Sequence, residues 1–262
     1  MTTPAENATT IDTSRPVADR RPPTGWGRTL RRLVMVCLFL LVAFLSRALW
    51  LPFVAYPLLA PPPKHLNEVT RIWLHTHDGH TIAGDMVIEQ TANLLKSHPD
   101  AKVIFTQGWS SRLVEIGVIP PPVEMLRKAL AKYQIGPERV IHLDVQGYQF
   151  WNEARAMDAY LSQHPKERVL FLTEEFGGRS HQLVLRSAIS AENRDRVEIL
   201  GLPDPRYSCH NWWKSRAGVK GVMVGYLYLI HTIVQPHPEQ PVRRLSLADF
   251  EKAVPDPPES NP

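Results

Sequence analysis

Residues 168–180, RVLFLTEEFGGRS, run from an apolar, β-branched stretch into two carboxylates, two glycines and an arginine, where a helix-like segment begins. Four more short runs of the same kind stand at 69–75 (VTRIWLH), 102–106 (KVIFT), 139–143 (RVIHL) and 197–201 (VEILG). Between them the apolar period changes to that of helices. Val123, Leu126, Leu130 and Tyr133 share one helix face, as do Phe150, Ala154, Met157 and Leu161, and Ile88, Ala92 and Leu95 mark another. Strand and helix alternating in this way predict an α/β domain over residues 68–234, a mainly parallel five-stranded sheet covered by helices on both faces.

In such a sheet, ligands bind outside the carboxyl ends of the strands. Those ends are HTHDGH (75–80), QGWSSR (107–112), DVQGYQ (144–149), EEFGGRS (174–180) and LPDPRYS (202–208), all polar or glycine-bearing. The amino-terminal loops SHPDA, IGPE, HPKE and ENRDR are plainer. Candidate ligand-binding residues are therefore Gln107, Ser110, Asp144, Asn152, Thr173, Gly177, Gly178 and Arg179.

Gly177-Gly178-Arg179 has two readings. Glycines let a ligand approach the backbone, a helix N-terminus offers free N–H groups, and arginine grips an oxyanion with two donors. The other reading is a turn whose arginine pairs with Glu174 or Glu175. Gly108-Trp109-Ser110-Ser111-Arg112 has a trace of a nucleophile elbow but lacks its second glycine. Asp144 and Asn152 suit either a ligand or a turn and helix cap. His75, His77, Asp78 and His80 are metal-ligand types, yet nothing at distance completes a known set, and no metal site is assigned. No Walker A loop, HExxH, CxxC or GxGxxG occurs, so the sequence names no cofactor.

The flanks are of a different character. The chain has 262 residues and a net charge of +4. Before residue 33, six arginines (15, 20, 21, 28, 31 and 32) face three carboxylates, so +3 of the charge lies there. The remainder is nearly neutral, which removes the electrostatic case for nucleic-acid binding. Residues 33–45, LVMVCLFLLVAFL, are uncharged, and after Ser46-Arg47 the apolar run resumes to Ala60. Residues 33–60 together suffice to cross about 30 Å of hydrocarbon, with Arg47 snorkelling and Trp50 and Tyr56 at an interface. A cleaved signal peptide is the rival, but no small-x-small cleavage site is evident. The arginines put the N-terminus in the cytoplasm and the domain outside it.

Residues 1–32 read as a disordered basic segment, 61–67 as a proline-rich linker and 235–262 as a proline-rich tail. Two isolated cysteines make no disulfide framework. The run after Trp212-Trp213, GVKGVMVGYLYLIHTIV (218–234), is short for a second span. A core helix on the sheet is the expectation, with a helix lying on the bilayer as the alternative.

Three stretches resemble the YdcF/SanA/ElyC-like family of bacterial envelope proteins, a domain of unknown function. RVLFLTEEFGGRSHQLVLRSAI is similar to the family's strand ending in Thr-Ser-x-Tyr-His, then Arg and a helix. HNWWKSRAGVKGVMVGYLYLIH is similar to its Trp-Trp helix, and PPVEMLRKALAKYQIGPERVIHLD with NEARAMDAYL to its middle. The resemblance spans about residues 68–234 and implies a Rossmann-like fold behind one membrane anchor. The chain departs from the pattern where Gly177 stands for the family histidine, Gly225 for a glutamate, and HTHDGH for a glycine-rich turn.

Two expectations follow. In one, a membrane-anchored extracytoplasmic domain binds a small anionic envelope metabolite through Arg179 and nearby N–H groups, with Glu174 or Glu175 as acid/base. In the other, an envelope protein has kept the fold and lost the chemistry with the histidine.

Overall fold

The computed structural model describes residues 25–75, 84–108, 112–145, 147 and 150–235. Ser110 and the loop residues His77, Asp78 and His80 lie outside these. In chain order the elements are α1 (Gly25–Leu45), α2 (Arg47–Ala55), β1 (Arg71–His75), α3 (Asp85–Ser97), β2 (Lys102–Gln107), α4 (Arg112–Glu115) and α5 (Pro122–Ala131). Then come β3 (Val140–Asp144), α6 (Phe150–Gln163), β4 (Val169–Glu174), α7 (Gly178–Ala188), α8 (Ala191–Arg194), β5 (Val197–Leu202) and α9 (Arg216–Val234). Short 3-10 turns stand at Tyr56–Leu58, Glu175–Gly177 and Trp212–Lys214.

All five strands are parallel, in the order β3-β2-β1-β4-β5. The expected α/β sheet is present, and each strand falls within two residues of its expected bounds. Strands covered on both faces read as continuous apolar runs, which is why five such runs stood out. β2 is buried at every position after Lys102, and β4 at every position before Glu174.

The alternation of side chains sorts the core into two layers. Ile72, Leu74, Val103, Phe105, Leu170 and Leu172 meet α3 and α5 through Ile88, Leu95, Leu126 and Leu130. Trp73, Ile104, Val169 and Phe171 meet α6 and α7 through Ala154, Met157, Leu161 and Leu185. A third cluster of Ala55, Leu58, Phe176, Cys209, Trp212 and Val222 lies where α2 and α9 approach the turn after β4.

β1 and β4 are neighbours although their connections run in opposite directions across the sheet, so the order reverses between them. That reversal opens the crevice where open α/β sheets take ligands.

The helix at 218–234 does not pack on the sheet face as a core helix would. α9 lies against α7 and the 3-10 turns, with only 17% of its apolar window buried. Among the described residues it is the one helix that alone is long and apolar enough to cross a membrane. The N-terminal segment meets that test only when residues 29–45 and 47–58 are taken together across a break at Ser46. There Ser46 Oγ donates to Val42 O at 2.7 Å, and Arg47 folds back to donate to Phe44 O at 3.1 Å.

Candidate functional site

At the switch point between β1 and β4 a packed aromatic cluster carries two imidazoles. Phe171 points from β4 towards α6, Trp73 lies beside it on β1 with centroids 4.7 Å apart, and Phe150 of α6 stacks on Trp73 at 5.5 Å. On this floor stand His75, the last residue of β1, and His181, one turn into α7, with ring centroids 5.6 Å apart. His181 packs edge-on against Phe150 at 4.6 Å, and its Nδ1 is 2.9 Å from Thr173 Oγ1 at the end of β4.

Behind the floor lies a buried carboxyl. Glu153 is hydrogen-bonded to Thr106 Oγ1, which also accepts from Trp73 Nε1 at 2.9 Å and lies 3.4 Å from the Leu74 carbonyl. Burial pushes the Glu153 carboxyl up to about 8, the bond to Thr106 opposing the shift. At neutral pH it is therefore mainly protonated. As a neutral acid it can donate to Thr106, whose hydroxyl donates onward to Leu74, and the network is satisfied without a buried charge.

Arg179 serves neither reading of Gly177-Gly178-Arg179. Residues two apart on a helix point about 200° from one another, so with His181 turned to Thr173, Arg179 faces away. Its Nη1 donates to Gln182 Oε1 at 2.7 Å rather than to Glu174, Glu175 or the crevice. Nor is Gly178 open to a ligand: a Cβ there would stand 2.7 Å from the Ala60 backbone N, so the end of the 33–60 segment fills that space. Gly177 does border the crevice. A Cβ there would meet the His181 ring at 3.3 Å and Thr173 Oγ1 at 3.4 Å.

Glu174 and Glu175 fall on the other side of the turn. They line a small cavity of about 100 Å³ with Met86, Asp204, Tyr207 and Gly225, which Arg179, Gln107 and Asp144 do not line. Burial pushes the Glu175 carboxyl up, against a hydrogen bond from Cys209. Burial, aided by the Glu175 charge, also pushes the Cys209 thiol up to about 11, so it is no ready thiolate.

Gln107 and Asp144 are register partners at the same end of the sheet as Thr173. Gln107 is buried, whereas the Asp144 side chain is 91% exposed and lies 3.4 Å from His142 Nε2. Asn152 turns towards Gly147, and its Nδ2 is buried with no hydrogen-bond partner among the described residues. The sequence candidates thus share a rim but are not one constellation.

Two residues escaped the sequence reading. Glu153 lies three positions after Phe150 and four before Met157, on the apolar stripe itself; a carboxylate there was the available signal. His181 stands three residues after Gly178, and a lone histidine there carries no local signal of its partners. Gly225 is tightly confined, since a Cβ there would come within 2.8 Å of the Phe176 carbonyl. A glutamate has no room.

The fold and site define an α/β parallel-sheet domain with an imidazole pair at its switch point. No protein-family model, no curated protein and no solved structure matches the chain.

Proposed function

We propose that this is a membrane-anchored envelope protein, a divergent relative of the YdcF/SanA/ElyC-like family, whose Rossmann-like domain binds a small anionic metabolite at the β1/β4 crevice. Residues 33–60 provide the anchor, with the N-terminus cytoplasmic and the domain outside. The observation that carries the binding reading is the pairing of His75 and His181 over Phe150 and Phe171, beside Thr173.

Three considerations support an anion there rather than in the neighbouring cavity. Imidazoles donate hydrogen bonds and take up positive charge near neutral pH. The first turn of α7 directs its N–H groups to the same end of the sheet. Glu174, Glu175 and Asp204 would repel an anion from the other cavity. His181 fills the space beside Gly177 and serves in place of the family histidine, which also makes it the candidate acid/base should the ligand react.

Thermal shift on the full chain in detergent, screened with inorganic phosphate and small phosphorylated and carboxylated metabolites, tests the reading. An anion should raise Tm in the parent protein and in Arg179→Ala but not in His181→Ala. An equal rise in His181→Ala, or loss of the rise in Arg179→Ala, would return the site to the arginine.

A further inference from the structure

α9 carries its apolar side chains on the outside. Met223 (62% exposed), Leu227 (65%), Ile230 and Val234 follow one another at helical spacing along one stripe, flanked by Tyr228 and Ile233. The same stripe begins with Arg216 and Lys220, with Lys214 just before them. The opposite side is committed to the domain. Gly218 admits the Trp212 backbone, Gly225 admits the Phe176 backbone, and Val222 is buried.

α2 shows the same division. Leu49 and Phe53 are exposed, with Trp50 and Tyr56 beside them, while Ala55 is buried in the cluster that holds Val222. Two side chains, one from the 3-10 turn before α9 and one from α9 itself, donate to the α2 backbone. Trp212 Nε1 donates to Leu51 O at 3.1 Å, and the Tyr226 hydroxyl donates to Val54 O. Whatever surrounds the outer side of α2 therefore lies next to the stripe on α9.

We infer that α2 and the outer stripe of α9 form one surface embedded in the lipid bilayer, seating the carboxyl rim of the sheet at the membrane. The inference rests on the membrane reading of residues 33–60 and extends it to a second segment 160 residues or so further along the chain. α2 continues the apolar run that follows α1 in sequence, which commits its outer side to hydrocarbon. α9 shares that side. Its graded stripe has the pattern of a helix entering an interface: cations at one end for lipid phosphates, aliphatic residues at the other for acyl chains. Being packed on the domain as far as Leu229, α9 dips into the bilayer without crossing it.

The test uses the full chain carrying Cys37→Ser, with the buried Cys209 left in place. Single nitroxide labels go on Leu227→Cys, Ile230→Cys, Phe39→Cys in α1, and Lys128→Cys on the exposed side of α5 as the aqueous reference. The protein is reconstituted in phosphatidylcholine vesicles containing a minority of phosphatidylglycerol, and spin relaxation by oxygen is compared with relaxation by a water-soluble nickel chelate. Labels at Leu227 and Ile230 should show an oxygen-to-nickel ratio several-fold above that at Lys128. A ratio at both like that at Lys128, with Phe39 still in lipid, would overturn this inference and leave the anchor standing. An aqueous Phe39 would overturn the anchor reading instead. Spin–spin broadening at Leu227 that vanishes on dilution with unlabelled chain would assign the stripe to a second copy and sink the proposal.

Discussion

The two ends of the sheet are built on opposite plans. At the amino end, arginines are spent on backbone carbonyls. Arg139 donates to Ala101 O at 3.0 Å, His98 O at 3.0 Å and Leu95 O at 3.3 Å, and Arg196 donates to His164 O at 2.9 Å and Leu161 O at 3.0 Å. Arg71 closes on Glu167 and Tyr160. At the carboxyl end no arginine among the described residues fills such a role. The polar groups gathered there are imidazoles, a threonine hydroxyl and a neutral carboxyl over an aromatic floor. One end spends guanidinium groups on the helix and strand termini of the fold; the other joins its polar side chains to one another, His181 to Thr173 and Glu153 to Thr106.

The contrast can be broken most sharply at the amino end. Arg196→Ala leaves partly buried carbonyls without their donor and should cost about 2–4 kcal/mol in denaturant unfolding of the full chain, while an anion-induced Tm shift persists. A loss below about 0.5 kcal/mol would show that water replaces the guanidinium freely.

The next effect is one of pH. Folded Glu153 holds its proton up to about 8, the unfolded residue only up to about 4.5, so unfolding releases a proton between those values. Stability should fall as pH rises through that window, by at most about 1.4 kcal/mol per unit, and fall no further once Glu153 ionises. Glu153→Gln should flatten the slope; an unchanged slope would place the titration elsewhere.

The smallest change belongs to the proposed site. His181→Ala should alter unfolding free energy by less than about 1 kcal/mol while abolishing the anion response, since His181 is only half-buried and serves a ligand. A larger loss would make His181 a structural residue like the arginines below it.

Much of the fold was legible because its signals are local. Runs such as KVIFT and RVLFLT announce strands covered on both faces, and the Phe150, Ala154, Met157, Leu161 stripe announces α6. The position of β4 beside β1 was not legible, since strand order is decided by crossovers and no single segment records it. The rim was legible as a rim. Its grouping was not, because which way Arg179 or His181 points depends on the helical phase set by Gly178 seating against Ala60. In α9 the composition was plain, but burial had to be seen: a helix in the core and one in lipid are equally apolar.

The close approach of Gly225 to the Phe176 carbonyl seats α9 against the 3-10 turn that follows β4, with no room for a Cβ between them. If α9 is seated in lipid as inferred above, the turn that follows Thr173 rests directly on a membrane-embedded helix. Acyl-chain length, which sets how such a helix tilts, then becomes a variable of the hydrogen bond between Thr173 and His181.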